Sequence, residues 1–261
     1  MWEKKKVLVT VKAYPEPSTK YKACVCTSGI TEDGEWIRLY PIPFEIFRSK
    51  KTFRKYDWIE VECRNNSKSE KLRRKESHKI RPNTLKIVDT SLNERPTDWK
   101  SRNEIVLPML EKSVERLRES YSEDKTSLGL IKPKDLFNFY MSEELNEDDK
   151  TLAKAKECYQ ETLFGEKRSD LEILPHVFRY RFSCQGESCK NHDITCEDWE
   201  LFQSYRSWRW TYPRKEVLWE KLKQRYFDEM ITKKDLYFYM GTYFLQPSWL
   251  IIGLYYPPKV I

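Results

Sequence analysis

Cys184, Cys189, His192 and Cys196 fall within one short segment with the spacing C-x4-C-x2-H-x3-C, followed at once by Asp198-Trp199-Glu200. Three thiols and an imidazole this close together leave two outcomes. Either they converge on one tetrahedral ion and fold the segment into a knuckle, or they scatter into the core as small apolar groups. The segment is polar and carries Gly186, which can take the positive φ of a tight turn, so a zinc knuckle is the expectation. His192 and Cys196 would share one face of a helix beginning at His192. Alternatively, Cys196 sits in the first turn of a helix capped by Thr195, where the helix dipole favours a thiolate. In a variant, Cys184, Cys189 and His192 bind, and the fourth ligand is His176, Cys158 or a water. A closed fourth position implies structure and an open one catalysis.

Asp198 and Glu200 beside this cluster are candidate acid/base residues. Thr195-x-x-Asp198 also matches a capping box, which would spend the Asp198 carboxylate on backbone N–H groups. Glu200 is expected in solvent or paired with an arginine such as Arg206. No dinucleotide fingerprint, P-loop, G-x-S-x-G or H-E-x-x-H is present. With His78, His176 and His192 as the whole histidine complement, a histidine-based nucleophile is disfavoured.

The net charge of +7 is concentrated. Residues 48 to 86 hold fourteen Lys and Arg against five Asp and Glu, a local balance of +9. That is the footprint of phosphate neutralisation, or of a solvated loop, since 64–71 lacks apolar residues. Candidate phosphate contacts here are Lys50, Lys51, Arg54, Lys55, Arg73, Arg74 and Lys75. Aromatics make up 14% of the chain and alternate with arginine in Trp36-Ile37-Arg38-Leu39-Tyr40, Phe178 to Phe182 and Tyr205-Arg206-Ser207-Trp208-Arg209-Trp210. Each run can offer a face to a base and a cation to a phosphate, although core packing with a snorkelling arginine is the ordinary alternative. Arg38, Arg206, Trp208, Arg209 and Trp210 are the candidates from these runs. Apolar runs such as Trp249 to Tyr256 fall short of the roughly 20 residues a bilayer span needs, and the N-terminus does not read as a signal peptide. A cytoplasmic protein with reduced thiols is expected, Cys24, Cys26 and Cys63 being strand and core residues.

Residues 6–63 read as a β-rich module, with strands over 6–11, 21–26, 35–40 and 57–62 and turns at Ser28-Gly29 and Glu32-Asp33-Gly34. A further strand is expected within Ile80 to Thr90. A helix capped at Thr97-Asp98 should run past Val106 toward Leu117, with Pro108 as kink or boundary. A strand over 135–140 precedes a helix from Ser142 toward Phe164. Phe178 to Phe182 should be a strand, helices should start at Thr195 and Arg214, and two strands should close the chain over 235–244 and 248–255. The fold class is α+β: small β-barrel-like (OB-type) modules flank a helical segment and carry a zinc knuckle. The divisions are 1–92, 93–170 and 171–261.

Four motifs carry a resemblance: Val11-Lys12-Ala13-Tyr14-Pro15 with Cys26 to Ile30; Trp36 to Phe44; Cys184, Cys189, His192 with Asp198-Trp199-Glu200; and Asp235 to Thr242 with Trp249 to Pro258. Together they resemble an uncharacterised family of prokaryotic proteins, across most of the chain. The Trp36-Ile37-Arg38 segment is also similar to that of proteins with two OB-type domains, which implies nucleic-acid binding through β-barrels. The resemblance does not require cysteine at 196. The expected function is nucleic-acid binding, DNA favoured over RNA, with a structural zinc ion. The alternatives are an enzyme acting on DNA or RNA through Asp198, Glu200 or a metal-bound water, and a protein-interaction module.

Overall fold

The computed structural model describes residues 1–13, 16–18, 22–43, 52–66, 74–94, 98–142, 172, 174, 176–243 and 248–259. Lys50, Lys51, Arg73 and Cys158, and the helix expected toward Phe164 beyond its first residue, Ser142, lie outside them.

Strand β1 (Glu3–Lys12) leads to a short antiparallel pair, β2 (Glu16–Ser18) and β3 (Lys22–Cys24). The chain continues through β4 (Thr27–Thr31), β5 (Trp36–Tyr40), β6 (Trp58–Asn65), β7 (Ser77–Ile80) and β8 (Lys86–Asp89). Pairing runs β1-β4-β5-β7-β6, and β6 pairs back to β1, so five strands close into a barrel with β8 appended outside β6. The neighbours β5 and β7 are parallel and the other barrel pairs antiparallel. Alternate residues Val7, Val9, Ile37, Leu39, Ile59, Val61, Cys63 and Ile80 fill the interior, as period-two strands require. The expected turn at Ser28-Gly29 is instead the buried centre of β4. A Cβ on Gly29 would stand 2.3 Å from the Leu8 carbonyl oxygen, so glycine serves close strand approach at this site. The turn at Glu32-Asp33-Gly34 is present, with Gly34 at φ 77°.

Helix α1 (Ser91–Glu94) is followed by α2 (Trp99–Val106), whose first turn is capped by Asp98 accepting from the Ser101 N–H. Pro108 ends this stretch within a 3-10 turn. The expected continuation is broken there into β9 (Leu110–Glu111) and α3 (Val114–Asp124), which Ser113 caps. A second sheet joins β9, β10 (Leu128–Ile131), β11 (Leu136–Ser142), β12 (Val177–Phe182), β13 (His192–Cys196), β14 (Tyr237–Thr242) and β15 (Trp249–Tyr255). Its order is β11-β12-β13-β15-β14-β10-β9. Strands from 93–170 and from 171–261 thus share one sheet. Helices α4 (Trp199–Thr211) and α5 (Lys215–Lys223), then a π-helical turn and α6 (Glu229–Thr232), cover one face of it over an aromatic core.

The other face packs on the barrel. Leu8, Val11, Ile30 and Tyr56 from the barrel side interleave with Leu128, Leu130, Tyr237, Tyr239, Ile252 and Tyr255 of the second sheet in one buried cluster. Among the described residues, no helix is long and apolar enough to cross a membrane.

Candidate metal centre and the cleft between the sheets

The donors that come together are Glu115, Cys184, Cys189 and His192, whose ligand atoms all lie within 4.8 Å of one another. The loop between β12 and β13 folds back so that the Cys184 N–H donates to the Cys189 sulfur at 3.1 Å, with Cys189 Sγ 3.4 Å from His192 Nε2. Glu115 enters from the first turn of α3, its Oε1 3.2 Å from the same Nε2. Gly186 lets the loop lie against that helix start, a Cβ there falling 3.1 Å from the Ser113 Cβ.

Burial draws His192 below the ordinary imidazole pKa while Glu115 pulls the other way, a net shift toward the neutral form that ligation needs. Burial also pushes the Cys184 thiol up to about 12, so a metal would have to displace its proton. Glu115 Oε2 is buried with no hydrogen-bond partner among the described residues. Two sulfurs, one imidazole nitrogen and a buried carboxylate oxygen without a partner are a donor set that can hold a metal ion.

Cys196 is not one of the four. His192 to Cys196 is strand β13, not a helix start, and four residues of strand span about 13 Å. His192, Ile194 and Cys196 point inward while Asp193 and Thr195 alternate outward against Phe178 to Phe182. His176 is buried against Tyr205 and takes no part in the cluster. Glu115 escaped the sequence reading because it sits far upstream on another helix, and its one local signal was the acidic first turn after Ser113.

Asp198 is itself the N-cap of α4, displacing the box expected from Thr195, which lies in β13. Its carboxylate accepts from the Leu201 N–H at 3.0 Å and the Leu254 N–H at 2.9 Å. It is buried, and burial raises its pKa while Lys55, 3.9 Å away, opposes the rise. Glu200 is not with Arg206. It accepts from the Tyr256 hydroxyl at 3.0 Å and lies 3.8 Å from Lys55.

These side chains open onto a cleft of about 550 Å³ between the barrel and the second sheet. Lys12, Arg54, Lys55 and Arg102 supply cations, Asp198 and Glu200 carboxylates, and Tyr56, Trp99, Trp199 and Tyr256 aromatic walls. Burial draws Lys12 down to about 8; Lys55 and Arg54 push the same way, while Glu200 and Asp57 resist. Burial works against the Lys55 charge too, yet Glu200 and Asp198 raise it above the ordinary lysine value, and its Nζ donates to the Leu254 carbonyl at 2.6 Å. The residues sequence reasoning did not single out here, Lys12, Tyr56, Trp99, Arg102, Trp199 and Tyr256, come from distant segments. Lys12, Trp199 and Tyr256 do fall within the resemblance motifs.

The remaining candidates divide. Arg38 is buried behind the barrel, and Arg74 is half-buried. Lys75 pairs with Asp124 at 2.6 Å; Arg206 and Arg209 both bind Glu172. Trp208 packs against the aromatic core, while Trp210 is 78% exposed with the Arg209 guanidinium over its ring.

Residues 3–108 match a family model described as a domain of unknown function (DUF8758), and residues 110–261 match a second described as a domain of unknown function (DUF8757). No curated protein matches the chain. The four clustered donors lie wholly within the second match, whereas the cleft takes residues from both.

Proposed function

We propose, for a chain that belongs to the DUF8757 family through residues 110–261, that it binds nucleic acid, DNA in preference to RNA, across the cleft between its two sheets. The observation that carries this reading is the lining of the cleft: four cations against two carboxylates, beside four flat aromatic side chains. Such a surface attracts phosphate and stacks unpaired bases. The five-stranded closure of the barrel supports an OB-type module, in which the loop joining the fourth and fifth strands contacts oligonucleotides. Here the corresponding connection runs from β6 to β7 and presents the exposed Lys75. The ion suited to Glu115, Cys184, Cys189 and His192 is zinc in a closed, structural site, bracing α3 against the β12–β13 loop. Enzymatic action on the bound strand is a second reading, favoured by the partly buried Lys12 amine sharing the cleft with Glu200.

The test is fluorescence anisotropy with single-stranded and duplex DNA and RNA over graded salt. Affinity should fall steeply as salt rises. Arg54→Glu, an exposed change, should weaken binding about tenfold or more and flatten the salt dependence. Absence of binding at low salt would remove the reading. Mass spectrometry of the recovered strand then separates the two readings, an unaltered strand arguing for binding alone.

A further inference from the structure

Away from the cleft, Arg38 leaves the outer face of β5 and crosses to the second sheet. It is 3% exposed. Its Nη1 donates to the Cys26 sulfur and its Nη2 to the Ser127 carbonyl, each at 3.1 Å. Its Nε–H finds no hydrogen-bond partner among the described residues. Gly241 permits the approach, since a Cβ there would lie 3.1 Å from Nη2. Ser28 on β4 and Ser77 on β7 are the register partners of Arg38 on the two adjoining strands, so all three side chains leave one face. Both serine hydroxyls are buried with no partner among the described residues, and so is that of Thr242, next to Gly241. A second guanidinium closes the group: Arg74 Nη1 lies 3.5 Å from the Thr242 carbonyl oxygen. Burial first, then repulsion from Arg38, lowers Arg74 to about 10. The nearby carboxylate, Glu76, is spent on the Ser127 N–H and hydroxyl. The Arg38 Nε–H and the hydroxyls of Ser28, Ser77 and Thr242 are thus four buried polar groups without a partner among the described residues, and native proteins do not leave such groups unsatisfied without a reason.

We propose that this slot between the barrel and the second sheet binds a small tetrahedral oxyanion of the phosphate or sulfate class, held by Arg38 and Arg74 with the hydroxyls of Ser28, Ser77 and Thr242. Arg74 and Cys26, both half-buried, form its outer wall. Arg38 and Ser28 lie too deep for the backbone of a polynucleotide to reach, so the site is independent of the cleft.

The experiment is calorimetric titration of the full chain with sodium phosphate, ionic strength being held constant with sodium chloride. One saturable site is expected. Arg38→Gln should abolish it, folding being checked by circular dichroism. Ser77→Ala keeps both charges and removes a single donor; it should weaken phosphate affinity about tenfold without lowering the thermal midpoint in phosphate-free buffer. Heat that never saturates in the wild type, or unchanged affinity in Ser77→Ala, overturns the site. An oligonucleotide added as competitor should leave phosphate affinity unaltered. If it displaces phosphate, the anion is a nucleic-acid phosphate and the free-ion assignment fails.

Discussion

At the scale of single residues, the candidate metal centre can be tested ligand by ligand. Glu115→Ala and Cys189→Ser should each lower zinc content of the purified, reduced protein, with affinity down about tenfold or more, whereas Cys196→Ser should leave it intact; elemental analysis reads all three. Retention of zinc by Glu115→Ala together with its loss in Cys196→Ser would reverse the assignment. Cys184, Cys189 and His192 were legible from the sequence because their spacing needs only one short loop to bring them together. Glu115 was not, since its approach depends on where α3 docks. That the Asp198 carboxylate serves backbone N–H groups at a helix start was legible, but the start was read at Thr195, and the second bond, from the Leu254 N–H, ties α4 to a strand far along the chain that no local pattern could reveal.

At the scale of elements, the outer face of β11, β12 and β13 is cross-linked by Asp193. Tyr140 donates to it from β11, and Arg179 and Arg181 donate from β12. Although burial alone would raise the carboxyl, these three donors bring it down to about 2. A carboxyl whose folded pKa lies below its unfolded value of about 3.9 contributes stability that is fully present above that value and is lost as the pH falls toward about 2. Wild-type stability should therefore fall through that window by more than that of Asp193→Asn, in urea melts taken at several pH values. At neutral pH the substitution should cost about 1 kcal/mol or less, as for other partly exposed pairs. The arginine and aromatic alternation of Phe178 to Phe182 announced β12. The identity of 192–196 was harder to read, because spacing of four suits a helix face as well as a strand face of period two, and only the neighbouring strand decides between them.

At the scale of the whole molecule, the barrel and the second sheet each enclose a core and share a third buried cluster where they meet, which couples them. Heat unfolding should be one cooperative transition, and Ile252→Ala, in the shared cluster, should cost about 2–5 kcal/mol and lower that single transition without splitting it. Differential scanning calorimetry checks this, and two resolved peaks would contradict it. Strands β1, β5, β6, β11, β12, β14 and β15 were visible in the sequence as alternating or β-branched runs, whereas β4, β7, β10 and β13 were not. Their closure into a ring and the docking of the ring on the sheet were not, because closure depends on the long-range return of β6 to β1. One contact carries a consequence for biosynthesis. Val11 of β1 packs against Gly253 of β15, a Cβ at 253 falling 3.4 Å from Val11 Cγ2. A nascent chain emerging amino end first therefore holds the apolar flank of β1 uncovered until β15 has left the ribosome. The barrel can close on its own during translation, but its outer wall must wait for the far strand, and this interval is when a chaperone would find something to hold.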